Sequence, residues 1–292
     1  MKNSTLIYLI FGVSLVLTSC KEKDIGPFVT IKNVDFEKYL VDEGLDSDGM
    51  VNGRILELEI LSIDSLNYQS FLSEDMQADR AHFRHLSYLS SNFEIGWQDL
   101  EQFTGLEKLH LRGGYENSGN VVLNIPGLQE LTFQSWKVDS LDLKDLEHLN
   151  YLSISDSRDL RQISLPKTPS LNYLHIGGSR IKEIDFACIN RSSWLREVNF
   201  SDNLHINSMN FENCTSLQRV YCTGNTYLKH LDVSDAKNLT ELHTEGSYID
   251  EICVRDLEQA EKRNGLILYY EHTIPKYAFT KADKTKYVEC SE

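Results

Sequence analysis

Leu128–Gln129–Glu130–Leu131–Thr132–Phe133 is followed by Leu149–Asn150–Tyr151–Leu152–Ser153–Ile154 and then by Leu171–Asn172–Tyr173–Leu174–His175–Ile176. Each stretch has the form L-x-x-L-x-(apolar), and its last positions alternate apolar with polar. That alternation is the mark of a strand with one face buried. The form extends outward as Leu106–Leu109–Leu111 on one side. On the other it continues as Leu195–Val198–Phe200, Leu217–Val220–Cys222 and Leu239–Leu242–Thr244. Successive starts are 22, 21, 22, 24, 22 and 22 residues apart. Phe83–Leu86–Tyr88 reads as a degenerate earlier copy.

A second apolar triplet follows ten or eleven residues after most of these starts: Val138–Leu141–Leu143, Leu160–Ile163–Leu165, Ile181–Ile184–Phe186, Ile206–Met209–Phe211, Leu228–Leu231–Val233 and Ile249–Ile252–Val254. The period falls in the leucine-rich-repeat range. One such coil cannot bury its own leucines, so coils must stack and share an elongated core. The expected fold is therefore a leucine-rich-repeat solenoid. Short parallel strands line its concave wall and second extended segments line the opposite wall. The turn between them holds Trp136, Ser157, Ser179, Asn203, Asn225 and Ser247, where small polar side chains can bond to the backbone of the next coil; Trp136 is the exception. The expected caps are a helical one at the front and a mixed one at the back, where Arg255–Arg263 reads as a helix stopped at Asn264–Gly265.

The 292 residues carry 29 Lys plus Arg against 44 Asp plus Glu, a net charge of −15. That balance speaks against nucleic acid, whose recognition runs on clustered cations. At the N-terminus, Leu6–Leu17 is apolar but would rise only ~18 Å as a helix, short of a ~30 Å hydrocarbon core. It reads as the apolar part of a signal peptide. Leu17–Thr18–Ser19–Cys20 then resembles the lipobox of bacterial lipoproteins, which implies acylation of the Cys20 thiol and cleavage before it. Two or three acyl chains would hold the protein on a membrane durably. Glu22 and Asp24 resemble the surface-export signal of Bacteroides-type lipoproteins.

Short repeats with Asp142, Asp185 and Asp232 inside the second triplet, an amphipathic helix at Val34–Leu40 and an acidic loop after it resemble leucine-rich-repeat lipoproteins of Bacteroides-type bacteria. The segment from Ile60 to Arg84 fits that pattern poorly. The resemblance implies a cell-envelope location, on the outer membrane and exposed at the surface, and a binding role without a known reaction. The expected organisation is a signal peptide at 1–19, a tether at 20–30, a front cap at 31–82, repeats at 83–254 and a back cap at 255–292.

Several residues invite a chemical reading. The loop Asp46–Glu59 fits an EF-hand frame if Asp48 is position 1, with Asn52, Gly53 and Glu59 at positions 5, 6 and 12. Met50, however, replaces the oxygen ligand at position 3. The frame from Asp46 puts Val51 at the glycine position. Asp48, Asn52 and Glu59 are thus a degenerate calcium loop, and no metal or other cofactor is expected. Of six cysteines, Cys222 is core-facing, Cys188 and Cys214 sit at turns, and Cys253 with Cys290 is the pair expected to pin the tail in an exported protein.

Outward positions of the first strands put His110, Tyr151, Tyr173, His175, Tyr221 and His243 on the concave wall. Aromatic side chains there offer area and a polar tip for a protein, peptide or glycan, although tyrosine also favours strands for packing alone. Lys108 can pair with Glu130, and Arg219 with Glu197 and Glu241, across neighbouring strands. His110, His175 and His243 share a column but lie at least ~14 Å apart, too far for one metal ion. No G-x-S-x-G, H-E-x-x-H or P-loop pattern appears, so no catalysis is expected. The rival readings are an accessory subunit held by its convex side or caps, and a hydrolase with a site in the caps.

Overall fold

The computed structural model describes residues 26–292 apart from 93–96, 114–118, 136, 167–169, 183, 185–188, 190–193, 266, 269–275, 278, 282 and 291–292. Cys20, Trp136, Asp185, Phe186 and Cys188 therefore lie outside the described residues.

The leucine pattern winds the chain into stacked coils whose strands pair in register. Among the described residues the long sheet has ten strands, all parallel and nearly all in sequence order. They run Ser65–Asn67, Tyr88–Asn92, Lys108–Arg112, Glu130–Gln134, Tyr151–Ser155, Tyr173–Gly177, Glu197–Asn199, Arg219–Tyr221, Glu241–His243 and Phe279–Thr280. Leu109 pairs with Leu131, Leu131 with Leu152, and Leu152 with Leu174, so each leucine stacks on its equivalent one coil away. The second triplets form parallel ladders on the opposite wall. One joins Asn120–Val122, Ser140–Asp142 and Gln162–Ser164; another joins Ser208–Asn210, His230–Asp232, Glu251–Val254 and Lys286–Glu289. One contiguous core of buried side chains runs from Ile31 to Tyr287. The fold is a leucine-rich-repeat solenoid.

Two details correct the sequence reading. Leu89, not Leu86, pairs with Leu109, so Phe83–Leu86–Tyr88 is shifted by three residues from the true frame. Ser91 explains the misreading: it takes an inward, apolar-type position and is buried, with its hydroxyl accepting from the Leu72 amide and donating to the Gln69 carbonyl. Tyr88 consequently lies on the sheet face, while His85 turns away to the Ile60 carbonyl at 3.0 Å. The sheet also begins earlier than the pattern shows, because Ser65–Asn67 pairs with Tyr88–Ser90 inside the segment assigned to the front cap.

From Lys108–Arg112 to Glu241–His243, each long-sheet strand leads into a left-handed residue. These are Gly113, Ser135, Asp156, Gly178, Asp202, Gly224 and Gly246, with φ between 55° and 71°. Such φ values are cheap for glycine and cost other residues ~1–2 kcal/mol. A side chain at Gly224 would also run into the Asp202 carboxylate.

Just beyond that corner a buried polar ladder ties the coils. Asn203 Oδ1 accepts from the Ser179 amide, Asn225 Oδ1 from the Asn203 amide at 2.9 Å, and Ser247 Oγ from the Asn225 amide at 2.9 Å. The Asn225 amide group donates back to the Phe200 and Cys222 carbonyls. Every such bond satisfies a backbone group that leaves the sheet where it has no strand partner, a group that would cost free energy if buried unpaired.

Candidate functional site

The long sheet presents a row of outward side chains with the strand spacing of ~4.8 Å. Strand alternation sets the positions, and the in-register pairing brings equivalents side by side. The six residues expected at a binding face fall into three groups. His110 lies with Tyr88, Tyr151 and Tyr173 with His175, and Tyr221 with His243.

In the central group, Tyr151 and Tyr173 stack face to face, centroids 4.4 Å apart and planes within 6°. His175 stands beside Tyr173 on the same strand face and contacts Ser153 Oγ through Nδ1 at 3.3 Å. Its ring folds over Gly177, where an added Cβ would meet His175 Nε2 at 2.6 Å. A side chain at 177 would therefore push the imidazole off its place. The result is a tyrosine wall beside a low floor made by Ser153, Ser155, Gly177 and Ser201. Burial, with Tyr151 and Glu197 nearby, pushes the Tyr173 hydroxyl up to about 12. Burial also holds the His175 imidazole below the ordinary histidine value. The lowered pKa favours the neutral form of the His175 imidazole, and hydroxyls and a neutral imidazole can both donate and accept hydrogen bonds.

The flanking groups differ in character. Tyr88 meets His110 edge-on at 5.2 Å and 83°, with its hydroxyl 3.4 Å from Nδ1. Burial lowers the His110 pKa as well. Lys108 and Glu130 pair at 2.6 Å next to it. Toward the other end, Tyr221 stacks on His243 at 5.1 Å and 12° and donates to Glu241 Oε2 at 2.7 Å. Glu241 is only 4% exposed. Arg219 binds Glu197 at 2.6 Å and also lies in the field of Glu241, and Glu241 takes the Tyr221 hydroxyl in addition, a contact the sequence did not suggest. His243 Nδ1 lies 3.3 Å from the Thr280 hydroxyl, a contact supplied by the C-terminal tail. Tyr88 and Thr280 escaped the sequence reading, the first through the shifted frame and the second because nothing local marks the tail as an added strand.

Hydrogen bonds within the chain shape the acidic loop. Asp48 accepts from the Met50 amide and from the Asn52 side chain, both at 2.7 Å. Glu59 accepts from the Ser47 and Leu56 amides. Glu37, from the helix Val34–Asp42, fills the middle of the turn by accepting from the Asn52 and Gly53 amides at 2.7 and 2.6 Å. No cluster of three or more metal-ligating side chains occurs among the described residues. Cys253 and Cys290 are joined in a disulfide, with Cα atoms 5.5 Å apart. Cys222 is buried in the core, and burial pushes the thiol of Cys214 up to about 12. No helix among the described residues is long and apolar enough to cross a membrane.

No family model matches the sequence, and no curated protein matches it. Among solved structures, the functional domain of InlJ from Listeria monocytogenes is similar at 14% identity and a TM-score of 0.40, over 91% of this chain and 73% of that one. InlP from the same organism is similar at 15% and 0.38, over 79% and 74%. TLR13, in a complex with the RNA ssRNA13, is similar at 18% and 0.37, over 60% of this chain and 32% of that one. The solenoid assignment rests on this chain's own in-register coils.

Proposed function

We propose that this chain is a lipid-anchored cell-envelope protein that binds a protein, peptide or glycan on the long-sheet face, with no catalytic step. The observation that carries the binding reading is the central group: a parallel Tyr151–Tyr173 pair beside His175, over a floor kept low by Gly177. Aromatic area with polar tips and neutral donors and acceptors suits an uncharged or mixed polar ligand. The lipobox-like Leu17–Cys20 supports the anchor, and the Cys253–Cys290 disulfide supports a location outside the reducing cytosol.

The test is a pull-down and glycan-array screen with the chain from Lys21 onward, repeated with Tyr151→Ala/Tyr173→Ala. Loss of the captured ligand in the double variant is expected; undiminished capture moves the site elsewhere. For the anchor, Cys20→Ser should release the protein from the membrane fraction, and continued membrane association would contradict acylation.

A second reading, an accessory subunit held by its convex side or caps, has one observation in its favour. Tyr227 and Tyr248 are 62% and 64% exposed, and His205 stacks on Tyr227 at 6.1 Å. These three occupy equivalent positions in successive coils, away from the long-sheet face. Capture that survives Tyr151→Ala/Tyr173→Ala but fails in Tyr227→Ser/Tyr248→Ser would favour it.

A further inference from the structure

The back end of the solenoid holds a cavity of about 300 Å³. It lies between the last turn of the regular coils and the helix Leu257–Arg263. In an interior coil the turn carries Leu143, Leu146 and Leu149, all fully buried because the next coil covers them. The equivalent residues at the end are Val233, Ala236 and Leu239. Ala236 is the smallest side chain in that series, and the helix covers it without filling the space that a larger one would occupy. Ala236 and Leu239 each remain 7% exposed. Val254 and Phe279 complete an apolar floor.

The lining of this cavity carries more cations than anions, in a chain whose net charge is −15. Lys237, Arg255 and Arg263 line it, against Asp256 as the one carboxylate in the lining. Asp256 is turned to its own helix, where it accepts from the Gln259 amide at 2.8 Å. Arg263 is held in place: one guanidinium nitrogen donates to the Leu239 carbonyl, and the group lies 5.6 Å from the centre of the Phe279 ring. A guanidinium fixed in this way presents its remaining donors without further loss of freedom, and planar donors of this kind match a carboxylate. The volume sits at the lower end of the ~300–1,000 Å³ typical of small-molecule sites, which combine apolar walls with a few placed polar groups.

We propose that this cavity binds a small organic carboxylate, with its aliphatic or aromatic body on the Ala236–Leu239–Phe279 floor and its charge at Lys237, Arg255 and Arg263. The site is separate from the long-sheet face and does not depend on what that face binds.

The test uses octanoate and its uncharged counterpart octanol, titrated by calorimetry and ligand-observed NMR into the chain from Lys21 onward, which holds the whole described core. Octanoate should bind saturably at one site and octanol at least about tenfold more weakly, as expected when charge-assisted bonds are lost. Lys237→Gln/Arg255→Gln should weaken octanoate about tenfold and leave octanol unchanged. Ala236→Leu places at 236 the residue that stands at the equivalent position 146, and should abolish both by filling the floor. The proposal is overturned by an absence of saturable octanoate binding to folded protein at millimolar concentration. It is equally overturned if octanol binds as well as octanoate, or if folded Ala236→Leu still binds octanoate. Should Ala236→Leu not fold, the charge variant decides by itself, and undiminished octanoate binding in it is the overturning result.

Discussion

The two ends of this solenoid are closed by different physics. At the front, Phe36, Phe71 and Phe83 pack with centroids 5.4 to 5.7 Å apart, and Phe103 and Tyr68 extend the cluster. Two carboxylates, each 1% exposed, then pin the loops around it: Glu37 takes the amides of the acidic turn, and Asp79 takes those of Lys32 and Asn33 at 2.9 and 2.8 Å. At the back, the tail continues both walls, adding Phe279–Thr280 to the long sheet and Lys286–Glu289 to the outer one. The Cys253–Cys290 disulfide then fixes it. The front end is held by bulk and buried hydrogen bonds, the back end by strand continuation and a covalent link. Stacked coils thus need only have their last leucines covered, and the back achieves this with less side-chain volume, leaving a cavity.

Four variants test how differently the two ends are held. Phe83→Ala should have the largest effect, about 3–5 kcal/mol in urea unfolding, because it opens a cavity among packed rings. A smaller loss than that from removing the disulfide would reverse the ranking of the two ends. Cys253→Ser/Cys290→Ser comes next, at about 2–4 kcal/mol for a closed loop of this size. Its hydrogen-exchange signature should be faster exchange at 279–289 with protection kept at 28–92, since coils couple mainly to their neighbours; uniform loss along the chain would contradict a locally sealed end.

Glu37→Ala should cost about 1–3 kcal/mol, because the Asn52 and Gly53 amides lose their buried acceptor. Exchange should quicken at 46–56 first. The smallest effect is expected of Asp46→Asn. Burial, with Asp48 and Glu59 nearby, raises the Asp46 pKa, and its Oδ2 has no hydrogen-bond partner among the described residues. A carboxyl whose pKa is raised on folding supports the fold while protonated, below its unfolded value, and loses that contribution as pH rises through its folded value. Asp46→Asn should therefore raise the urea midpoint at pH 7 and bring no gain at pH 3. A gain of equal size at both would show that charge is not the cause.

Much of the architecture was legible because it is local. The leucines from Leu106 to Leu242 mark the coil period directly, and the inward direction of each follows from strand alternation. The frame failed where a serine replaced an aliphatic: Ser91 sits in the core with its hydroxyl satisfied by a neighbouring coil, and no local pattern reveals such a partner. The left-handed corners were present in the sequence as Gly113, Gly178, Gly224 and Gly246, but Ser135, Asp156 and Asp202 at the same place blurred the signal. The binding-face residues were legible as outward positions, yet their division into three groups was not. It depends on ring contacts such as Tyr221 on His243, which join residues one full coil apart.

Side chains a few positions apart are enough to dictate that the chain coils with a period near 22 residues and buries its leucines by stacking. Which other polar groups go inside, and what they meet, follows from three-dimensional packing alone: Ser91 against the backbone of a neighbouring coil, Glu37 under the acidic turn, Glu241 beneath Tyr221. A buried polar group is tolerated only by a partner in the right place. In a solenoid that partner commonly lies one whole coil away, at a distance fixed by the packing of everything between.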